Sequence, residues 1–85
     1  MDNIDGLVRL RADRDGSRYT VTFKPNAVQH WSSRPNGFTV ELNEAEVRRL
    51  VGEKLEPYLA MARVGETARF NRKIPRTLYE KYADG

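Results

Sequence analysis

Three short runs in which apolar and polar residues alternate constrain this chain more than any other feature. A two-residue period puts alternate side chains on opposite faces of a strand, so each run reads as a half-buried strand of an antiparallel sheet. In residues 7–12, Val8, Leu10 and Ala12 face one way and Arg9 and Arg11 the other. Asp13-Arg14-Asp15-Gly16-Ser17 supplies turn chemistry, and residues 18–23 resume the alternation with Tyr19, Val21 and Phe23 inward. These two runs predict a hairpin whose outer face gathers Arg9, Arg11 and Arg18. The third run follows the turn signal Arg34-Pro35-Asn36-Gly37 and points Phe38, Val40 and Leu42 inward. Between the second and third runs, residues 24–37 hold Pro25, Asn26, Pro35, Asn36 and Gly37 around Ala27-Val28-Gln29-His30-Trp31. That segment fits a short edge strand, one helical turn or a loop.

The period then changes. Asn43 and Glu46 read as an N-cap with its capping-box partner, and Val47, Leu50, Val51, Leu55, Tyr58, Leu59 and Ala62 follow at spacings of three and four. The pattern predicts one helix, kinked or broken near Glu56, because Pro57 removes a backbone donor and clashes with the preceding turn. Val64-Gly65-Glu66 ends it, and residues 67–70 fit a short extended piece. Pro75 suits the first turn of a terminal helix with Ile74, Leu78, Tyr79 and Tyr82 on its apolar side. The expectation is an α+β fold: an antiparallel sheet of about three strands, the N-terminal hairpin plus one, covered by a kinked helix and a short C-terminal helix. Eighty-five residues read as a single small domain, 1–85, whose modest core a homodimer would extend.

Composition narrows the chemistry. The chain has no cysteine and one histidine, so disulfides, thiolate metal sites and a cysteine nucleophile are excluded. His30-Trp31-Ser32-Ser33 has no acid beside it to orient a base, and Asp13-Arg14-Asp15-Gly16-Ser17 places its glycine too early for a calcium loop. No catalytic residue, metal or cofactor is expected. No apolar run approaches the roughly 20 residues of a membrane span, and the start Met1-Asp2-Asn3-Ile4-Asp5 lacks the regions of a signal peptide. A cytoplasmic protein with no membrane partner is the expectation.

Charge is unevenly distributed. Residues 40–60 carry five acids and three bases, whereas residues 69–81 carry Arg69, Arg72, Lys73, Arg76 and Lys81 against Glu80 alone. A basic run is most often only a solvated face. Here Arg72, Lys73 and Arg76 fall around the expected start of the last helix, where the macrodipole disfavours cations by roughly 0.3–1 kcal/mol each. A DNA phosphate would remove that conflict, while an Arg76–Glu80 pair could relieve part of it without a ligand. Arg69, Arg72, Lys73 and Arg76 are therefore the candidate DNA-binding residues.

The segment Asn71-Arg72-Lys73-Ile74-Pro75-Arg76-Thr77-Leu78-Tyr79-Glu80-Lys81-Tyr82-Ala83 resembles the end of the actinobacterial H-NS-like xenogeneic silencers, nucleoid-associated proteins. In that family a short Arg-Gly-Arg loop followed by Ile-Pro and a helix enters the minor groove of AT-rich DNA. Residues 38–43 and the helix through Ala62-Arg63-Val64-Gly65 are similar to that family's oligomerisation domain. The resemblance implies minor-groove contact by Arg72 and Lys73 with readout of shape.

Two functional classes follow. The first is a small non-enzymatic DNA-binding or DNA-associated protein, a transcription regulator or nucleoid component whose basic C-terminal segment meets duplex DNA. The second is a protein-interaction module, an inhibitor or accessory protein, that docks another protein through the 24–37 loop with His30, Trp31 and Arg34.

Overall fold

The computed structural model describes residues 2–84. The first two strands, β1 (Asn3–Ala12) and β2 (Tyr19–Pro25), form the expected hairpin with Leu10 opposite Val21 and Val8 opposite Phe23. Its turn is closed by the Asp13 N–H on the Arg18 carbonyl at 2.9 Å. Within it the Asp15 carboxylate accepts from the Ser17 hydroxyl and amide at 2.6 and 2.9 Å, contacts that hold its pKa below the usual carboxylate range. The third strand, β3 (Phe38–Leu42), pairs with β2, setting Val40 opposite Val21.

The sheet has four strands, not three. β4 (Ala68–Pro75) pairs with β1 along its whole length, and the antiparallel order is β3-β2-β1-β4. The segment alternates as a strand does: Ala68, Phe70 and Ile74 are buried, while Arg69, Asn71 and Lys73 are exposed. Arg72 occupies the remaining inward position and obscures the period in the sequence. Pro75 closes this strand instead of lying inside the last helix.

β1 also begins earlier than its alternation announces. Asn, Asp and Gly are poor strand formers, yet Ile4 and Gly6 continue its covered face. Gly6 has a steric reason: a Cβ there would lie 2.4 Å from the tip of the Phe23 ring.

The kinked helix is two helices. α1 (Glu44–Val51) starts with the predicted capping box: the Glu46 N–H donates to Asn43 Oδ1 at 2.8 Å, and the Asn43 N–H to Glu46 Oε1 at 3.0 Å. It stops at Gly52, whose φ of 86° suits only glycine without strain, and Lys54 follows at φ 63°. α2 (Glu56–Arg63) then places Pro57 in its first turn, where the missing N–H would have no helical partner in any case. The break thus falls before the proline and removes the clash a continuous helix would suffer.

α3 (Arg76–Asp84) completes the chain, its first N–H donating to the Asp2 carbonyl at 2.7 Å. All three helices lie on one face of the sheet. Val8, Leu10, Val21, Val47, Leu55, Leu59, Ile74 and Tyr79 are sealed between the layers, and each large aliphatic among them contributes roughly 1.5–3 kcal/mol.

Residues 26–37 form a folded loop against α3. The Gln29 N–H donates to the Pro35 carbonyl at 2.8 Å, Ser32 and Ser33 donate their hydroxyls to the Asp84 carboxylate, and the Tyr79 hydroxyl donates to the Arg34 carbonyl. Burial pushes the Tyr79 phenol above its ordinary pKa, so that donor keeps its proton. No helix among the described residues is long and apolar enough to cross a membrane.

Candidate nucleic-acid interface

The helices cover one face of the sheet and leave the other open. Strand alternation sends Arg9 and Arg11 of β1, Thr20, Thr22 and Lys24 of β2, and Arg69, Asn71 and Lys73 of β4 to that open face. Cross-strand register then decides which of them meet. Arg9 stands between Thr22 and Arg69, Arg11 is opposite Thr20, and Leu7 lies between Lys24 and Asn71. Asp5 faces Lys73.

Like charges directly opposed across an antiparallel pair are destabilising. Arg9 and Arg69 are such a pair, and Arg11 lies two residues along the same face. None of the three has an ion-pair partner among the described residues. Glu41 is the acid opposite Thr20, but its carboxylate lies 4.0 Å from Arg18, whose guanidinium also donates to the Glu41 carbonyl at 3.0 Å. Arg9, Arg11 and Arg69 line one shallow cleft of about 310 Å³ with Thr20, Thr22 and Thr67. The Thr22 and Thr39 hydroxyls hydrogen-bond at 3.1 Å, leaving a hydroxyl at the cleft wall.

The four candidate cations of the C-terminal segment do not form one cluster. Arg69 and Lys73 reach the open face. Arg72 turns the opposite way, beneath the connection between α1 and α2. Its Nε donates to the Val51 carbonyl at 3.2 Å and its Nη2 to the Lys54 carbonyl at 3.3 Å. The guanidinium lies 4.9 Å from the Phe70 ring centroid and 5.7 Å from that of Tyr58, a cation–π arrangement over two stacked rings. Arg72 therefore completes the helical layer by satisfying carbonyls at the end of α1.

Arg76 alone sits at the start of α3, and its Nε donates to Glu80 Oε1 at 3.0 Å. Its guanidinium also stacks 4.0 Å from the Trp31 ring centroid. The expected crowding of cations at a helix N-terminus is thus corrected: Arg72 and Lys73 belong to a strand, and the single cation at the helix start has its carboxylate. The segment resembling the silencers' groove-entering loop is paired strand, with Arg72 opposite Gly6 and Lys73 opposite Asp5.

In the loop, Trp31 is 38% exposed, donates its indole N–H to Gln29 Oε1 at 3.1 Å, and meets Tyr79 edge-on at 5.6 Å. Arg34 offers its carbonyl to Tyr79, and His30 is exposed. Trp31 and the Arg34 carbonyl thereby help to fasten the loop to α3, while Trp31 and Arg34 both remain exposed. Arg9 and Arg11 were legible as a basic hairpin face; their junction with Arg69 needed the β1–β4 pairing.

Comparisons with protein-family models, curated proteins and solved structures found no match.

Proposed function

We propose that this is a non-enzymatic protein that holds the phosphate backbone of duplex DNA on the open face of its sheet. The observation that carries the reading is the Arg9–Arg69 cross-strand pair, flanked by Arg11 and without an ion-pair partner among the described residues. An anion laid over that pair turns a repulsion into charge-assisted hydrogen bonds. The chain's excess of positive charge, fifteen Lys and Arg against twelve Asp and Glu, favours the encounter.

The choice of duplex rests on what lines the face. Tyr19, Phe23, Phe38, Phe70 and Tyr79 are buried on the helical side, so among the described residues the open face offers arginine, lysine, threonine and asparagine, with Leu7 and the acids Asp5 and Glu41 among them, but no aromatic platform. Unpaired bases are gripped largely by stacking on such platforms. A duplex presents phosphates outward and keeps its bases inside, matching what this surface can bind. At about 3.4 Å per residue, the four-residue step from Arg69 to Lys73 spans on the order of 14 Å, long enough to meet several successive phosphates of one strand, which recur about every 3.4 Å along the duplex axis.

Fluorescence anisotropy of a labelled duplex at several salt concentrations tests the proposal. Neutralising about three phosphates gives a slope of log K against log salt near −3, with little dependence on sequence. No detectable duplex binding at low salt, or binding indifferent to salt, overturns it.

A further inference from the structure

The positive charge of the open face is graded along the sheet. At one end Asp5 stands opposite Lys73 and places one acid beside that cation, without an ion pair between them. At the other, where β1 finishes and β4 begins, Arg9, Arg11 and Arg69 share the 310 Å³ cleft with three threonines and no carboxylate. The densest charge therefore lies at the extremity of the basic band.

An internal phosphodiester carries one negative charge on two free oxygens. A phosphate monoester carries about −1.5 to −2 near neutral pH and three acceptor oxygens. Three guanidiniums around one small cleft exceed the charge of a diester and come closer to balancing a monoester. Each guanidinium presents a planar fork of donors suited to a phosphoryl group, and the Thr22 hydroxyl can accept from Thr39 while donating its own proton into the cleft.

We infer that the Arg9–Arg11–Arg69 cleft is a seat for a phosphate monoester, and that its ligand is the phosphorylated terminus of a duplex whose backbone continues along β4 towards Lys73. The inference rests on reading the open face as a duplex-binding surface, and it adds which phosphate that surface grips. Cleft and band then act together: the seat fixes the end, and Asn71 and Lys73 meet the phosphates that follow.

The test uses the full chain and one duplex sequence prepared with and without 5′-phosphates, compared by anisotropy, with a 3′-phosphorylated duplex as a further arm. The terminal phosphate should tighten binding about five- to tenfold, as expected for one added charge-assisted contact. Arg69→Gln should erase that preference while leaving residual binding of the unphosphorylated duplex. Inorganic phosphate should compete for the phosphorylated duplex and shift the amide resonances of Arg9, Thr22 and Arg69 in a ¹H–¹⁵N NMR titration. Equal affinity for phosphorylated and unphosphorylated ends overturns the seat but leaves duplex binding standing. If neither duplex binds, the reading of the face fails as well. Inorganic phosphate that moves no resonance of the cleft also overturns the seat.

Discussion

On the helical layer, Arg48 reaches Glu44, Glu53 and Glu56 at 3.3, 3.3 and 2.8 Å, and Arg63 also pairs with Glu44. On the open face of the sheet, Arg9 faces Arg69 with no acid between them. Both surfaces meet water, yet one arranges its charges into a network, whereas the other, which has the Arg18–Glu41 pair at its margin, leaves Arg9 and Arg69 opposed. The network needs nothing from outside. Self-consistency is what folding alone rewards, so a face that departs from it is where an external anion has most to contribute. Functional surfaces are the expected places for such departures.

The largest expected effect comes from breaking the open face. Reversing both charges, Arg9→Glu with Arg69→Glu, should weaken duplex binding at least 100-fold in anisotropy, since two favourable contacts become repulsions (about 1.4 kcal/mol per tenfold). The helical cation Arg49, which is exposed on α1, provides the control: Arg49→Glu should change affinity by less than about threefold because exposed charges remote from the contact are screened. Equal losses from both variants would erase the distinction between the surfaces.

Next in size is Arg72→Ala. Removing a guanidinium that donates to three carbonyls and stacks on Phe70 and Tyr58 should cost about 1–3 kcal/mol of stability in urea unfolding. The duplex affinity of the folded variant should stay within about threefold of the parent. A large loss of affinity without loss of stability would move Arg72 to the interface.

A smaller change sharpens the comparison by moving two quantities in opposite directions. Arg69→Thr removes the like-charge pair with Arg9 and places a β-branched residue in a strand, so thermal unfolding should show a gain of about 0.2–1 kcal/mol. Its duplex affinity should fall about five- to tenfold. If stability also fell, the opposed arginines would not be a strain on the free protein.

The smallest effect is on the helical network. Arg63, with Arg48 assisting, holds the Glu44 carboxyl below its ordinary pKa of 4.5, against the opposing effect of desolvation. A depressed folded-state pKa gives stability that is present above the unfolded value and lost as pH falls through the folded one. Glu44→Gln should therefore lower the melting temperature slightly at neutral pH and flatten its decline below about pH 4.5. Parallel curves for the two proteins would show that the pair is too solvent-screened to matter.

Legibility in the sequence followed the strength of the local pattern. The hairpin, β3 and the start of α1 were readable because Val8, Leu10, Val21 and Phe23 alternate without interruption and Asn43 and Glu46 cap at the required spacing. The full length of β4 is hidden in the sequence because Arg72 occupies a core-side position, where an arginine interrupts the apolar–polar alternation. An inward arginine is tolerable only where carbonyls and rings receive it, and those come from the α1–α2 connection, α2 and β4 itself. The division of the long helix had a local warning in Pro57, but Gly52 and Lys54 set where the chain turns. Of the candidate cations, Arg69 and Lys73 reached the open face, Arg72 was drawn into the fold, and Arg76 stayed at the surface, paired with Glu80.

By itself the sequence determined which residues could share a face, because alternation and helical spacing are properties of neighbours along the chain. It determined the α+β character, the capped start of α1 and the basic outer side of the hairpin. Only the tertiary structure decided that β4 lies beside β1, bringing Arg69 across from Arg9 over a separation of sixty residues. Strand pairing is a non-local choice, fixed by how the buried sides of all four strands fit beneath three helices, and the charges on the exposed side follow from that choice.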